Sequence, residues 1–211
     1  MNQPLKPEEQ ARVLIDAQLK RAGWHVCDRK DIDLVNHQGN AVREVIMKQD
    51  HGRADYLLYV GRKVVGAIEA KPVGTTLAGV QWQSAMYAEG LPPAYRNNAV
   101  LKDGRLPFIF EASGSETQYT NGFDPQPRAR KIFNFPQPGT LARIIRESED
   151  NPSAPTWRGK VRSMPAYDHY DLRPASKVAV GAIEHSLAAG THERSLVQMA
   201  TGAGKTRMAV T

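Results

Sequence analysis

Apolar positions along the first half of the chain recur at helical spacing and then in short runs. Residues 7–22 have an apolar stripe, begin with Pro7 and stop at Gly23, which predicts a first helix. That stripe consists of Ala11, Leu14, Ile15, Leu19 and Ala22, and the opposite, exposed face carries Arg12, Asp16 and Lys20. Extended segments are predicted at residues 24–26 and 41–47, with a polar loop or edge over residues 28–40.

The next pattern is an antiparallel hairpin. Two apolar runs, residues 56–60 and 64–68, flank Gly61-Arg62-Lys63, which predicts a three-residue loop. In that register Asp55 lies opposite Glu69, with Cβ atoms about 5 Å apart. Because side chains alternate along a strand, Lys71 shares the face of Glu69. The hairpin therefore gathers three ionisable groups at one end of an apolar ribbon.

Later patterns predict a mixed sheet flanked by helices, which is an α/β fold. A helix is predicted from Thr75 or Thr76 to residue 88, and a shorter one over residues 140–147. Strands are predicted at residues 99–101, 107–112 and 131–135, and residues 114–127 are loop-rich. Several strands precede the second helix, so the order differs from a regular alternation of strands and helices.

A change in composition predicts a domain boundary in the last third. Residues 150–173 combine prolines and basic residues without periodicity, which is typical of a linker. The predicted divisions are residues 1–150, a linker at 151–174, and the start of another domain at 175–211. In that last segment a helix over 175–189 and a strand over 195–199 precede the sequence TGAGKT. The order of strand, glycine-rich loop and helix predicts a phosphate-binding loop. Its predicted nucleotide-binding residues are Gly202, Gly204, Lys205 and Thr206.

Composition narrows the class of protein. An apolar content of 41% among 211 residues supports a buried core. Cys27 is the single cysteine, so an internal disulfide is excluded, which suits a reducing cytoplasm. No apolar run reaches the length of a membrane span, and a signal-peptide core is not recognisable. The net charge is +6, and residues 126–177 hold ten basic against five acidic side chains, which suits binding to a phosphate backbone.

The hairpin carboxylates are the strongest candidate for chemistry. Two close carboxylates repel each other unless a proton or cation lies between them. Mg²⁺ commonly takes one or two carboxylates and accepts phosphate oxygens, and a nearby lysine can stabilise developing negative charge. A solvated surface salt bridge is the alternative interpretation.

The motif Asp55, Glu69-Ala70-Lys71 and Gln83-Ser84-Ala85-Met86-Tyr87 resembles the D…ExK…QxxxY signature of the nuclease domain in the restriction subunit of type I restriction-modification enzymes. The similarity extends from Glu9 to Thr206. It implies a PD-(D/E)xK endonuclease followed by the start of a RecA-like, helicase-like ATPase lobe.

This resemblance also implies the roles of individual residues. Asp55, Glu69 and the Ala70 carbonyl would hold Mg²⁺, and Lys71 would assist the attacking water. Gln83 and Tyr87 would border the carboxylates. Glu9 would lie near the metal. An equally open role for Glu9 is to stabilise the N-terminus of the first helix.

Implied partners are double-stranded DNA and the specificity and methyltransferase subunits, in the cytoplasm of a bacterium or archaeon. The full subunit would use ATP with Mg²⁺. This chain stops five residues after Thr206, so it is not expected to hydrolyse ATP itself. The alternatives are a repair or recombination nuclease fused to a helicase, and a catalytically silent DNA-clamping module.

Overall fold

The protein is described by a computed structural model, which covers residues 6–48, 52–77, 90–163, 171–189 and 195–210. The chain divides into two compact units. The first comprises residues 1–123 and 127–146, and the second comprises residues 124–126 and 147–211.

A mixed seven-stranded sheet forms the first unit, with the strands in chain order from one edge to the other. Two neighbouring pairs, β1 with β2 and β4 with β5, are parallel, and the other pairs are antiparallel. The strands are β1 (His25–Cys27), β2 (Gly39–Ile46), β3 (Arg53–Val60), β4 (Lys63–Ala70), β5 (Phe108–Ala112), β6 (Thr117–Asn121) and β7 (Arg130–Ile132). The predicted mixed sheet is confirmed.

In the described part of the first unit, three α-helices and one short 3-10 helix accompany this sheet. They are α1 (Pro7–Arg21), the 3-10 helix Arg29–Asp31, α2 (Pro93–Arg96) and α3 (Pro138–Asp150), of which α3 continues into the second unit. The first helix has Pro7 in its first turn, and Gly23 follows it with φ of 87°, so its predicted limits are confirmed.

The core has two layers because β-strand side chains alternate between faces. Tyr56, Leu58 and Ile68 pack with Ile15 and Leu19 of α1 in one cluster. A second cluster contains Leu57, Tyr59 and Ala67, together with residues of β2 and of the segment around Leu91 and Leu106. Both faces of the central hairpin are therefore covered by apolar side chains.

The β3–β4 hairpin has a two-residue turn, so the predicted three-residue loop is wrong. Val60 pairs with Lys63 and Tyr59 pairs with Val64. A bulge between Leu58 and Tyr59 then shifts the register, and Leu58 pairs with Gly66. Beyond the bulge the pairing is the one that the longer loop predicted.

Three predictions in the second half of the sheet need correction. Strand β6 lies inside residues 114–127, which were predicted as loop. The predicted strand at 99–101 is reduced to an isolated bridge between Val64 and Ala99. The strand predicted at 131–135 is β7 and ends at Ile132.

The second unit contains helices α4 (Trp157–Arg162), α5 (Pro174–Ala189) and α6 (Lys205–Val210). Helix α5 confirms the prediction for residues 175–189. Helix α4 lies within the segment predicted as a linker without regular structure, and Thr156 caps its N-terminus by accepting from Gly159 N–H. Residues 195–199 are not a strand, so that prediction is wrong. Among the described residues, no helix is long and apolar enough to cross a membrane.

Cys27 provides a test of the burial of β1. Its side chain is buried, and burial is the main reason why the pKa of the thiol is raised. Since the thiolate is the reacting species, we expect modification by a disulfide reagent to be at least about 100-fold slower than for free cysteine. The rate is measured by absorbance at neutral pH, with protein in guanidinium chloride as the control. A rate in buffer equal to that of the unfolded chain would contradict the position of β1.

Candidate active site

The candidate site lies where β3 begins and β4 ends. Tyr56 pairs with Ile68, and continuing this antiparallel register by one residue places Asp55 opposite Glu69. The bulge opposite Leu58 and Tyr59, where Val65 of β4 is the extra residue, is responsible, because without its shift Asp55 would lie opposite a different position. The side chains of Asp55 and Glu69 are 15% and 20% exposed, so both are accessible to a small ligand but largely removed from solvent.

Both carboxylate oxygens of Asp55 accept hydrogen bonds. The Ala70 backbone N–H donates to Oδ2 at 2.9 Å, and Arg12 Nη2 on α1 donates to Oδ1 at 2.6 Å. Burial raises the pKa of Asp55, and the negative charge of Glu69 raises it further, whereas the bonds from Ala70 and Arg12 lower it. Burial is the largest cause of the upward shift in the pKa of Asp55.

Lys71 follows directly after β4 and remains close to this pair. Its Nζ lies 3.1 Å from Glu69 Oε1, and its backbone N–H donates to the Ala112 carbonyl on β5 at 2.8 Å. The backbone bond fixes the position of the Lys71 main chain, and the Lys71 side chain is 30% exposed. The predicted set of Asp55, Glu69 and Lys71 is therefore brought together at one end of the hairpin.

Acidic residues continue along the same row of the sheet on both sides of this pair. Glu111 on β5 pairs directly with Glu69 and is 5% exposed. On β2, Glu44 lies between Arg43 and Val45, which pair with Tyr56 and Ala54, so the register places Glu44 opposite Asp55. Glu44 has a φ of 51°, a conformation that costs about 1 kcal/mol for a side chain other than glycine.

The carboxylate oxygens of this site are of the kind that divalent ions bind. Asp55 and Glu69 supply carboxylate oxygens from adjacent strands, and Mg²⁺ often uses one or two carboxylates and completes its shell with water. Within the described residues, no group of three or more His, Cys, Asp or Glu side chains is arranged to hold a metal ion. The residues present therefore fit a site with two carboxylates and additional waters.

Comparisons with known proteins show which proteins the chain is similar to. A family model described as the second domain of the type I restriction enzyme EcoKI endonuclease subunit matches residues 30–126, which include Asp55, Glu69 and Lys71. The EcoKI endonuclease subunit of Escherichia coli (strain K12) is 24% identical over 248 aligned positions, covering 96% of this chain. The chain is thus similar to type I restriction enzyme endonuclease subunits.

The chain spans 21% of the length of the EcoKI subunit. A solved fragment assigned as the HsdR subunit of a type I restriction enzyme from Vibrio vulnificus YJ016 is also similar, with a TM-score of 0.46 and 23% identity. That comparison covers 99% of this chain and 37% of the solved one.

Three further residues were predicted for the nuclease site, and the structure describes one of them, Glu9. Glu9 lies in the first turn of α1, where its carboxylate accepts from the Lys6 backbone N–H at 3.0 Å. This contact serves the helix N-terminus, which was the alternative role for Glu9. Gln83 and Tyr87 lie outside the described residues, so their role in the nuclease site stays a prediction.

The predicted phosphate-binding loop lies in the second unit. Gly202 and Gly204 have φ of 78° and 91°, conformations that glycine adopts without steric cost. Lys205 begins α6, and its Nζ donates to the Met199 carbonyl at 3.2 Å, while Arg173 donates to the Gly202 carbonyl at 3.3 Å. Thr206 is the next residue of α6. Nucleotide binding by this loop stays a prediction.

Three contact residues in or beside the site were missed by sequence reasoning. Arg12 and Asp16 were assigned to the exposed face of the first helix, yet Arg12 contacts Asp55 and Asp16 contacts Arg43. Glu44, which also binds Arg12, had no motif to mark it. The spacing of Arg12 and Asp16 by one helical turn was the available signal, but spacing alone does not identify the strand that they face.

Proposed function

We propose that this chain is the Mg²⁺-dependent endonuclease region of a type I restriction subunit, which cleaves phosphodiester bonds of double-stranded DNA. The observation that carries the proposal is the gathering of Asp55, Glu69 and Lys71 at one end of the β3–β4 hairpin. Similarity to type I restriction enzyme endonuclease subunits supports the same assignment.

Each residue has a distinct role in the proposed reaction. Asp55 and Glu69 would hold Mg²⁺, together with the Ala70 carbonyl. The ion, when bound, would polarise the phosphodiester and lower the pKa of a bound water. Lys71 is held beside Glu69 by the ion pair at 3.1 Å, so its positive charge is placed to stabilise the negative charge that develops on the phosphate.

Further proposals concern the longer subunit. The second unit would begin a RecA-like, helicase-like lobe that uses ATP and Mg²⁺ through Gly202, Gly204, Lys205 and Thr206 to translocate DNA. The subunit would act with specificity and methyltransferase subunits in the cytoplasm of a bacterium or archaeon. Basic side chains of residues 126–177 would contribute to binding of the DNA backbone.

The test is cleavage of supercoiled plasmid DNA in the presence of Mg²⁺. We expect nicked or linear product from the chain, or from the full-length subunit assembled with its partner subunits and supplied with ATP. Excess EDTA is expected to abolish product formation in both preparations. Plasmid that stays supercoiled in the active, ATP-hydrolysing complex would contradict the nuclease assignment and favour a silent DNA-clamping module.

A further inference from the structure

Arg12 links the first helix to two acidic residues of the candidate site. Nη2 donates to Asp55 Oδ1 at 2.6 Å, and Nη1 donates to Glu44 Oε1 at 2.5 Å. The guanidinium therefore bridges β3 and β2, whose residues Asp55 and Glu44 are opposite each other in register. Its planar fork of donors suits two carboxylates at once.

The position of Arg12 conflicts with direct binding of a cation to Asp55. Each Asp55 oxygen accepts one hydrogen bond and keeps a second lone pair, so the conflict is one of charge. The guanidinium, 2.6 Å from Oδ1, would repel a divalent cation bound to the same carboxylate. One of the donors, Ala70 N–H, belongs to strand β4 and is fixed by the sheet. The other belongs to a long side chain that is 40% exposed, so Arg12 is the donor that can move.

We infer that Arg12 is a positioning residue that competes with a divalent cation for Asp55 and moves toward Glu44 when the cation binds. This inference rests on the proposed function, because it assigns Asp55 to a metal site. Arg12 would thus keep Asp55 paired until an ion arrives.

Glu44 gives the displaced guanidinium a second partner. Its other oxygen, Oε2, accepts from Arg53 Nη1 at 3.0 Å, so Glu44 is anchored from the opposite side. Glu44, whose φ is 51°, is the residue opposite Asp55 on β2. When Arg12 leaves Asp55, it retains one ion pair and its charge stays at the edge of the site.

The experiment measures Mn²⁺ binding to the chain by the paramagnetic resonance signal of the free ion, with Arg12→Gln compared with wild type. Since a partly exposed ion pair contributes about 1 kcal/mol, removal of the competitor is expected to tighten Mn²⁺ binding about fivefold. Arg12→Lys keeps the charge but cannot bridge both carboxylates, and an intermediate affinity is expected. Asp55→Asn is expected to abolish binding in both backgrounds.

Arg43→Gln is the matched control, because Arg43 also bridges two carboxylates, those of Asp16 and Asp28, at 2.6 and 3.2 Å. It is expected to leave Mn²⁺ affinity within about twofold of wild type. Circular dichroism confirms that each variant is folded.

The outcomes separate this inference from the proposed function. Equal or weaker Mn²⁺ binding by Arg12→Gln, with binding that still depends on Asp55, would overturn the competition and leave the metal site standing. Tightening of the same size in Arg43→Gln would also overturn it, since a general change in charge would then be the cause. Failure of wild type and Arg12→Gln alike to bind Mn²⁺ through Asp55 would overturn both.

Discussion

Lys71→Ala is expected to reduce the rate of DNA cleavage at least about 100-fold while ATP hydrolysis by the assembled complex is retained. The ammonium group lies 3.1 Å from Glu69 and is the basic group placed to stabilise charge that develops during phosphodiester cleavage. Loss of one such preorganised interaction typically costs about 10² to 10³ in rate. Cleavage is measured on plasmid DNA with Mg²⁺, and ATP hydrolysis on the same preparation.

Lys63→Ala is the matched control for this substitution. Lys63 begins the same strand, β4, and lies at the turn end of the hairpin, whereas Lys71 follows the opposite end. The change removes the same charge from the subunit, so a general weakening of DNA binding would affect both variants. We expect Lys63→Ala to cleave within about twofold of wild type. Equal losses in the two variants, or unaltered cleavage by Lys71→Ala, would refute the role of Lys71.

Sequence reasoning located the centre of the candidate site because strand alternation and strand pairing are local rules. It placed Asp55 opposite Glu69 from an incorrect loop length. In the structure the turn is one residue shorter than predicted, and a bulge opposite Leu58 and Tyr59 shifts the register by one residue. The two differences cancel, so the register at Asp55 is the predicted one. Bulges depend on packing on both faces of a sheet, and the sequence reasoning did not predict one in the run of residues 64–68, where Val65 is the extra residue.

Elements that depend on distant partners were harder to predict. Strand β6 has the polar sequence TQYTN and forms by pairing with β5 on one side and β7 on the other. The apolar run at residues 195–199 was predicted as a strand, but in the described part of the chain it pairs with none. A strand needs a neighbour to satisfy its backbone groups, so an apolar run is insufficient evidence by itself.

The contacts of Arg12 show the same limit at the level of side chains. Helical periodicity correctly assigned Ala11 and Ile15 to the buried face of α1. The same periodicity placed Arg12 toward solvent, because charged residues outside the apolar stripe are usually exposed. The partners Glu44 and Asp55 lie on two other elements, and only the packing of α1 against the sheet brings them within reach.

Gly66→Ala is expected to destabilise the first unit by about 3 kcal/mol, because the new methyl group has no room. A Cβ built at Gly66 would lie 2.1 Å from the backbone oxygen of Phe108 on the neighbouring strand β5. Backbone cannot rotate away as a side chain can, so β4 and β5 must separate at this point. The loss is measured as the change in the free energy of unfolding in urea.

Gly139→Ala provides the control, since a Cβ there would meet only the Gln38 side chain, at 3.5 Å. In α3, alanine is also the better helix former, so this variant is expected to be as stable as wild type or slightly more stable.

The clash at Gly66 should affect the site as well, because Gly66 pairs with Phe108 in the same ladder in which Glu69 pairs with Glu111. Separation of β4 from β5 would displace Glu69 relative to Asp55, and Mn²⁺ binding by folded Gly66→Ala is expected to weaken. A variant with wild-type stability would mean that β4 and β5 are not paired in this register.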